Sequence, residues 1–126
     1  GGRAIGGVGY FYPPTVLTDV PAQADIVTEE IFGPVAAIQT FTTEDEVIAQ
    51  ANSSEFGLAS YVYTLDIGKG LRVAEKLEAG MVGLNRGLVS DPAAPFGGVK
   101  QSGLGREGGH EGLLEFLETQ YVSVNW

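Results

Sequence analysis

Segments with strand and helix patterns alternate along the middle of this chain, and their order constrains the fold. Residues 35–41, 59–65 and 81–85 are mostly apolar. They predict strands, because strands buried in a parallel sheet form near-continuous apolar runs. Helices are predicted between them, after Thr43 and after Asp66. This order indicates right-handed crossovers and predicts an α/β fold, with a mainly parallel sheet and helices packed on it.

Local signals mark the ends of the predicted helices. Thr43, followed by three acidic residues, predicts a capping box at the start of the first helix, which ends near residue 52. Asp66 is predicted to cap the second helix and Gly80 to end it. A last helix is predicted over residues 111–118. His110, the one histidine, is expected to be a surface residue at its start.

Composition excludes several classes of function. The 126 residues predict one domain with a buried core, and 44% of them are hydrophobic. A net charge of -9 argues against nucleic-acid binding, which needs a basic face. No apolar stretch is long enough to span a membrane and no export signal is evident, so we expect a soluble, cytoplasmic protein. Without cysteine, the chain has no disulfide, thiolate metal site or cysteine nucleophile, and we expect no metal site.

Many of the nineteen glycines cluster at residues 1–9 and 97–112, which are predicted to be loops. Residues 103–108 match the G-x-G-x-x-G pattern of a dinucleotide-binding turn. That motif must directly follow a strand, whereas a loop precedes residue 103 here. A structural glycine loop is therefore the favoured interpretation.

Two polar clusters interrupt apolar segments and are candidates for ligand contact. Glu29 and Glu30 begin the run 29–35 (EEIFGPV), which reads as a turn that faces a ligand or simply faces solvent. Asn85 ends a predicted strand and is followed by Arg86 and Ser90. Ligands bind beyond the carboxyl ends of strands in open α/β sheets, although an amide there also commonly caps a loop.

The last residues, 121–126, alternate apolar and polar side chains. This pattern predicts a half-exposed strand, and no later segment of the chain is left to pair with it.

Four further features of the sequence belong together: the segments 29–35 (EEIFGPV), 55–59 (EFGLA), 80–85 (GMVGLN) and 95–108 (PFGGVKQSGLGREG). In order and spacing, these segments resemble the C-terminal portion of the NAD(P)-dependent aldehyde dehydrogenases. Within that family, the turn 87–90 before residues 94–98 is most similar to the succinate-semialdehyde dehydrogenases.

The resemblance implies oxidation of an aldehyde to its carboxylic acid, with NAD or NADP accepting the hydride. It implies that Glu30 hydrogen-bonds the nicotinamide ribose and that Phe32 packs near the nicotinamide ring. It also implies that Ser90 helps to bind the distal carboxylate of succinate semialdehyde, that Phe96 lines the aldehyde tunnel and that Asn85 supports the site from beneath.

The resemblance also implies how the chain is organised. Residues 1–126 would form part of the catalytic domain, and residues 120–126 would be an oligomerisation strand that joins the sheet of a neighbouring subunit in a homo-oligomer. The family's nucleophilic cysteine, oxyanion asparagine and water-activating glutamate all lie upstream of the matched segments. Because these groups lie outside the chain, which contains no cysteine, we expect it to be inactive and to have no catalytic residue of its own. Its start at Gly1 without an initiator methionine leads us to expect a C-terminal fragment.

Two points stand apart from that interpretation. Arg86 occupies a position where the succinate-semialdehyde branch usually has a smaller or acidic residue, so it either adds positive charge near a carboxylate or faces solvent. The alternative function is a free-standing, non-catalytic interaction module that is derived from this fold and assembles through its last strand.

Overall fold

The computed structural model describes all 126 residues. The backbone forms two compact units, Gly1–Thr43 and Glu44–Trp126. None of the four helices has the length and apolar character needed to cross a membrane.

The first unit is built on two short parallel strands. Strand β1, Thr15–Leu17, pairs with β2, Val35–Ala37, and the one-turn helix α1, Asp25–Thr28, lies between them in sequence. Thr15 is the one buried polar residue of the chain. Its hydroxyl accepts a hydrogen bond from the backbone N–H of Gly2 at 2.8 Å and donates one to the carbonyl of Pro13 at 2.9 Å. These bonds tie the predicted N-terminal glycine loop to β1.

The second unit is organised around a parallel strand pair joined by a helix. Strand β4 (Ala59–Val62) pairs in parallel with β5 (Met81–Leu84), and helix α3 (Ile67–Lys76) makes the crossover between them. Strands β3 (Phe56–Gly57) and β6 (Val99–Lys100) form an antiparallel pair of two residues each. The elements of this unit are α2 (Glu44–Asn52), β3 (Phe56–Gly57), β4 (Ala59–Val62), α3 (Ile67–Lys76), β5 (Met81–Leu84), β6 (Val99–Lys100) and α4 (Glu111–Leu114).

The predicted parallel pairing and helical crossover are confirmed for β4, α3 and β5, but the single sheet is wrong. The chain has three two-stranded sheets, and β2 pairs with β1 rather than with β4. The β3–β6 pair was not predicted, because two-residue strands within glycine-rich sequence carry no periodic signal. Strands β2, β4 and β5 are each shorter than the apolar run that predicted them.

The helix starts were predicted more accurately than the helix ends. Helix α2 spans Glu44–Asn52 as expected, and the Asp66 carboxylate caps α3 by accepting the backbone N–H of Lys69 at 3.0 Å. Helix α3 ends at Lys76 and not at Gly80. The physical reason is a side chain from outside the helix, since the Asn52 amide donates to the Lys76 carbonyl at 2.8 Å.

The C-terminal region is less regular than predicted. Helix α4 covers only Glu111–Leu114, with exposed His110 at its start as expected. Residues 121–126 belong to no helix or strand, and their apolar side chains are exposed. A strand is defined by hydrogen bonds to a neighbouring strand, and no segment of this chain supplies them.

The expected buried core is absent. Met81 is the one buried hydrophobic residue, and Tyr61 and Tyr63, which lie in the predicted buried strand 59–65, are exposed. Strands of a parallel sheet are normally covered on both faces, whereas each pair here has only short helices and loops against it. The apolar faces of these strands therefore remain open to solvent.

Helices α2 and α3 are joined by a bidentate ion pair. The Arg72 guanidinium donates to the two carboxylate oxygens of Glu44 at 2.8 and 2.7 Å, and both side chains stay partly exposed. The hydrogen bond from Arg72, followed by its charge, holds the pKa of Glu44 below the ordinary glutamate value despite some desolvation. The ion pair therefore contributes to stability at pH values above the ordinary glutamate pKa, and the contribution is lost as pH falls through the lowered pKa.

We expect the Arg72→Met variant to return the titration midpoint of Glu44 to the ordinary glutamate range, because the variant removes the largest cause of the shift. The midpoint is measured by NMR of carboxyl-labelled protein. Lys69→Met is the matched control, since the charge of Lys69 contributes least to this shift, and it should leave the midpoint nearly where it is. Equal midpoints in the Arg72→Met variant and the unsubstituted chain would contradict the assignment.

Candidate functional site

The carboxyl end of the β4–β5 pair is closed by the side chain of Asn85. Asn85 follows β5 directly and has a left-handed backbone, with φ of 54°. Its backbone N–H donates to the Val62 carbonyl at 2.8 Å. Its side-chain oxygen accepts from the backbone N–H of Thr64 at 2.9 Å, while its Nδ2 donates to the Thr64 carbonyl at 2.8 Å. The amide thus continues the strand pairing at the point where the backbone of Asn85 turns away.

This arrangement links Asn85 to the start of α3. The Thr64 hydroxyl accepts from the backbone N–H of Asp66 at 3.1 Å, and Asp66 caps α3. At Gly70, an added Cβ would lie 2.6 Å from Leu84 Cδ1, so α3 packs tightly against β5 there. Because both polar atoms of the Asn85 side chain are used by Thr64, this side chain positions the turn that follows it.

The turn after Asn85 carries two of the candidate residues, Arg86 and Ser90, and both are exposed. The turn folds back over β5, since a Cβ added at Gly83 would lie 3.0 Å from both the Arg86 carbonyl oxygen and Val89 Cγ1. The three ion pairs of the chain do not include Arg86. The structure thus places an unpaired guanidinium and an exposed hydroxyl on one short turn.

Phe96 is half-buried and held by backbone bonds on both sides. Its N–H donates to the Glu107 carbonyl at 2.7 Å, and the Glu107 N–H donates back to the Phe96 carbonyl at 2.7 Å. Phe96 lies on the wall of an open cleft of about 720 Å³, which Leu58, Arg106 and Phe116 also line. The backbone of Phe96 is therefore held on both sides, and the residue borders accessible space.

Close backbone contacts between glycines build the frame around Phe96. A Cβ added at Gly80 would collide with the carbonyl of Gly97, and one added at Gly97 would lie 2.5 Å from the Gly105 carbonyl oxygen. Arg106 Nη1 donates to the carbonyls of Gly98 at 2.8 Å and Gly105 at 2.6 Å, and so ties the two sides of this frame together.

The G-x-G-x-x-G segment belongs to this frame. Gly103, Gly105 and Gly108 all have positive φ, and the segment leads into a helix of only four residues. An added Cβ at Gly108 would lie 3.0 Å from the Ala94 carbonyl oxygen. A dinucleotide-binding turn needs a strand directly before it and a full helix after it. The favoured interpretation as a structural glycine loop accords with these contacts.

In the first unit, the acidic run forms an exposed turn between α1 and β2. The backbone N–H of Glu29 donates to the Asp25 carbonyl at 2.7 Å and ends α1. Glu30 is exposed and the Phe32 side chain is 95% exposed. The Pro34 carbonyl accepts from Thr15 at 2.9 Å, which anchors the run to β1. An aromatic side chain this exposed is available to a ligand or to another surface.

The candidate residues are therefore distributed over three segments of the chain. Asn85 and Ser90 lie at the two ends of one turn, Phe96 lies on the cleft wall of the same unit, and Glu30 and Phe32 share the exposed turn of the first unit. No group of three acidic or histidine side chains is arranged to hold a metal ion.

The polar cluster around Lys100 was not predicted from the sequence. Lys100 has φ of 55°, and its ammonium group contacts Glu78 and two backbone carbonyls. A left-handed lysine leaves no mark in a single sequence, because the conformation is enforced by distant segments. No local pattern was available to find it.

Comparison with known proteins agrees with this architecture. The sequence profile of the aldehyde dehydrogenase family matches residues 1–122, so the chain belongs to the aldehyde dehydrogenase family. A crystal structure of an aldehyde dehydrogenase from Brucella melitensis biovar abortus superposes with a TM-score of 0.89 at 54% identity, over 97% of this chain and 25% of that one. The α/β class and the predicted family resemblance are both confirmed.

Three curated relatives are similar over nearly the whole chain. A succinate-semialdehyde dehydrogenase of Paenarthrobacter nicotinovorans is 60% identical over 98% of the chain, and a 3-sulfolactaldehyde dehydrogenase of Pseudomonas putida is 55% identical over 97%. An NADP(+) succinate-semialdehyde dehydrogenase of Escherichia coli is 51% identical over 98%. The chain spans 28%, 25% and 26% of their respective lengths, about a quarter of each.

Proposed function

We propose that this chain forms part of an NAD(P)-dependent aldehyde dehydrogenase that oxidises succinate semialdehyde to its carboxylic acid. The observation that carries the proposal is the 60% identity to a succinate-semialdehyde dehydrogenase over 98% of the chain. The first relatives act, by their names, on aldehydes that bear a second, acidic group, either a carboxylate or a sulfonate. The proposed substrate class is therefore an aldehyde with a distal anion.

The exposed turn of the first unit is the proposed half of the cofactor site. Glu30 is proposed to accept hydrogen bonds from the ribose hydroxyls next to the nicotinamide, because a carboxylate is a strong acceptor for two adjacent hydroxyls. Phe32 is proposed to pack near the nicotinamide ring and limit its motion. The near-complete exposure of Phe32 supports this assignment, since the side chain has no packing role within the chain.

The turn beyond β5 and the cleft wall are the proposed contribution to substrate binding. Ser90 is proposed to donate its hydroxyl to the distal carboxylate, and Phe96 to line the aldehyde tunnel. Asn85 is proposed as a positioning residue for this turn, since both polar atoms of its side chain bond the backbone of Thr64. The unpaired Arg86 adds positive charge to the same turn, which favours an anionic substrate.

The reaction itself depends on groups that this chain lacks. A thiolate mechanism needs a cysteine to add to the aldehyde carbon and a general base to activate the water that hydrolyses the thioester, and a nicotinamide cofactor held by Glu30 and Phe32 would supply the hydride acceptor. The chain contains no cysteine. Its proposed role is to complete the nicotinamide and aldehyde pockets of a catalytic domain whose nucleophile and general base come from other segments.

Assembly and location complete the proposal. Residues 120–126 are proposed as an oligomerisation strand that pairs with a second copy in a homo-oligomer of a soluble, cytoplasmic enzyme. The exposure of Tyr121, Val122 and Val124 supports it, because these side chains have nothing to pack against within the chain. The alternative is a non-catalytic interaction module that uses the same strand, and the same exposure favours it.

A chimera tests the proposal. This chain replaces the matching quarter of the Paenarthrobacter nicotinovorans enzyme, and steady-state kinetics follow succinate semialdehyde with NAD and with NADP. We expect activity, and we expect Ser90→Ala to raise the KM for the aldehyde about tenfold, the cost of one hydrogen bond to a charged group, with little change in the cofactor KM. Thr18→Ala, which removes an exposed hydroxyl that is not among the proposed site residues, is the matched control.

The outcomes separate the two functions. A folded chimera that oxidises succinate semialdehyde supports the dehydrogenase, and a Ser90→Ala effect on the aldehyde KM alone supports the assignment of Ser90. A folded chimera with the oligomeric state of its parent but without activity contradicts the proposed dehydrogenase and favours the module.

A further inference from the structure

The Lys100 ammonium group is bound on three sides in the second unit. Its Nζ donates to the carbonyl of Asn52 at 2.8 Å and to the carbonyl of Ser54 at 3.0 Å. It also forms an ion pair with Glu78 Oε2 at 2.5 Å. An ammonium group has three hydrogens, and three acceptors surround this one. We call Lys100 with these partners, Asn52, Ser54 and Glu78, the lysine junction.

The lysine junction joins the ends of two helices to a strand. Asn52 is the last residue of α2, and its side chain donates to the Lys76 carbonyl at the end of α3. The same side chain accepts the backbone N–H of Glu78 at 2.9 Å and so places Glu78 next to Lys100. A cation at the carboxyl ends of helices is favourable, because unpaired carbonyls gather there.

Lys100 adopts a left-handed backbone conformation, which is rare for lysine. Its φ of 55° lies in the left-handed region, which non-glycine residues occupy only when the surroundings enforce it. This conformation turns the chain out of β6 and into the loop that holds Ser102. The Ser102 hydroxyl accepts the backbone N–H of Gly57 at 2.9 Å, which fixes the loop to β3.

A run of close contacts leads from the lysine junction back to Phe96. An added Cβ at Gly57 would lie 2.8 Å from Val99 Cγ2, and one at Gly98 would lie 2.5 Å from Ser102 Cβ. Gly97 is in close contact with Gly80 on one side and Arg106 on the other. These distances leave no room for a side chain at Gly57, Gly97 or Gly98, and Phe96 lies only four positions before Lys100 in the sequence.

We infer that Lys100 is a positioning residue that sets where Phe96 stands against the aldehyde. The inference rests on the proposed function, in which Phe96 lines the aldehyde tunnel. The lysine junction fixes the register of β6 on β3, and the glycine contacts transmit that register to the aromatic ring. Lys100 contacts neither substrate nor cofactor, and its replacement is expected to change the binding of the aldehyde.

The experiment uses the chimera with the Paenarthrobacter nicotinovorans enzyme. Lys100→Met keeps the aliphatic stem and removes all three donors. We expect it to raise the KM for succinate semialdehyde about tenfold, the scale of a small misplacement of a substrate-positioning group, while the cofactor KM stays within about twofold. The control is Lys69→Met, an exposed lysine outside the three ion pairs, and it should change neither constant.

A second variant covers the possibility that Lys100→Met does not fold. Glu78→Gln keeps an acceptor for Lys100 but removes the charge, and we expect a rise of about threefold in the aldehyde KM alone, since a neutral hydrogen bond is weaker than a charged one. A rise confined to the aldehyde KM in either variant supports the inference.

Two results would overturn the positioning role of Lys100, and both can be distinguished from failure of the proposed function. Unchanged constants in the folded variants contradict the positioning role while the dehydrogenase assignment stands. Equal rises in the aldehyde and cofactor KM contradict it as well, because they indicate general loosening of the domain. If the unsubstituted chimera is folded but inactive, the proposed function fails and the inference fails with it.

Discussion

The purified 126-residue chain is expected to form no NADH or NADPH from succinate semialdehyde at a rate above background. The chain has no cysteine, so no thiolate can attack the aldehyde. Removing the nucleophile from an enzyme that works by covalent catalysis lowers kcat by about a millionfold, which places any residual rate below detection. Absorbance at 340 nm, with NAD and with NADP supplied in turn, is the measurement.

The chimera, expressed in the same host cells as the isolated chain, is the matched control. It should turn over substrate under the same conditions. Activity that elutes with the isolated chain through two chromatography steps of different principle would contradict the expectation. It would show that the chain performs hydride transfer without a thiol, and the covalent mechanism would have to be abandoned for it.

Gly80→Ala is expected to unfold the region around Phe96. A Cβ at Gly80 would collide with the Gly97 carbonyl and lie 2.8 Å from the Gly98 Cα. Both obstacles are backbone atoms, which cannot rotate away as the end of a side chain can. We expect a loss of about 3 kcal/mol or more in stability, the upper end of what overpacking costs, because the structure cannot relax around backbone atoms. Thermal unfolding of the chimera measures it.

Gly6→Ala is the matched control, since an added Cβ there has nothing within 4 Å and the backbone needs no positive φ. It should leave the melting temperature within about 2 °C, or raise it slightly, because alanine restricts the unfolded chain. Equal melting temperatures for the two variants would show that the glycine contact at Gly80 is looser than the structure has it.

Local signals in the sequence predicted those features that local chemistry determines. Asp66 caps α3 because its carboxylate reaches the Lys69 N–H within one turn, and a capping residue can be recognised three positions away. The β4–α3–β5 crossover was predictable for a similar reason, since two apolar strands joined by a helix pair in parallel. The turn after Asn85 was found because a polar residue ends an apolar strand.

Features set by distant segments were not predicted. Helix α3 stops at Lys76 because Asn52, 24 positions earlier, takes its carbonyl. The β3–β6 pair brings Phe56 opposite Lys100 through two-residue strands that have no periodicity to detect. The exposure of Tyr61 and Tyr63 was missed because apolar strands predict burial without stating what covers them. The roles of Glu30, Phe32, Ser90 and Phe96 came from the family resemblance and stay proposals.

The glycine contacts around Phe96 also bear on how such a site can change over evolutionary time. Every codon change that replaces Gly80 or Gly97 adds atoms where backbone already stands, and one that replaces Gly98 adds them against Ser102 Cβ. Single substitutions of these glycines are therefore not tolerated, whereas exposed Arg86 and Ser90 can be replaced without disturbing the glycine frame. Under the proposed function, in which this turn contacts the distal anion of the substrate, a lineage that carries the scaffold would exchange one acidic aldehyde for another by substitutions on a single surface turn.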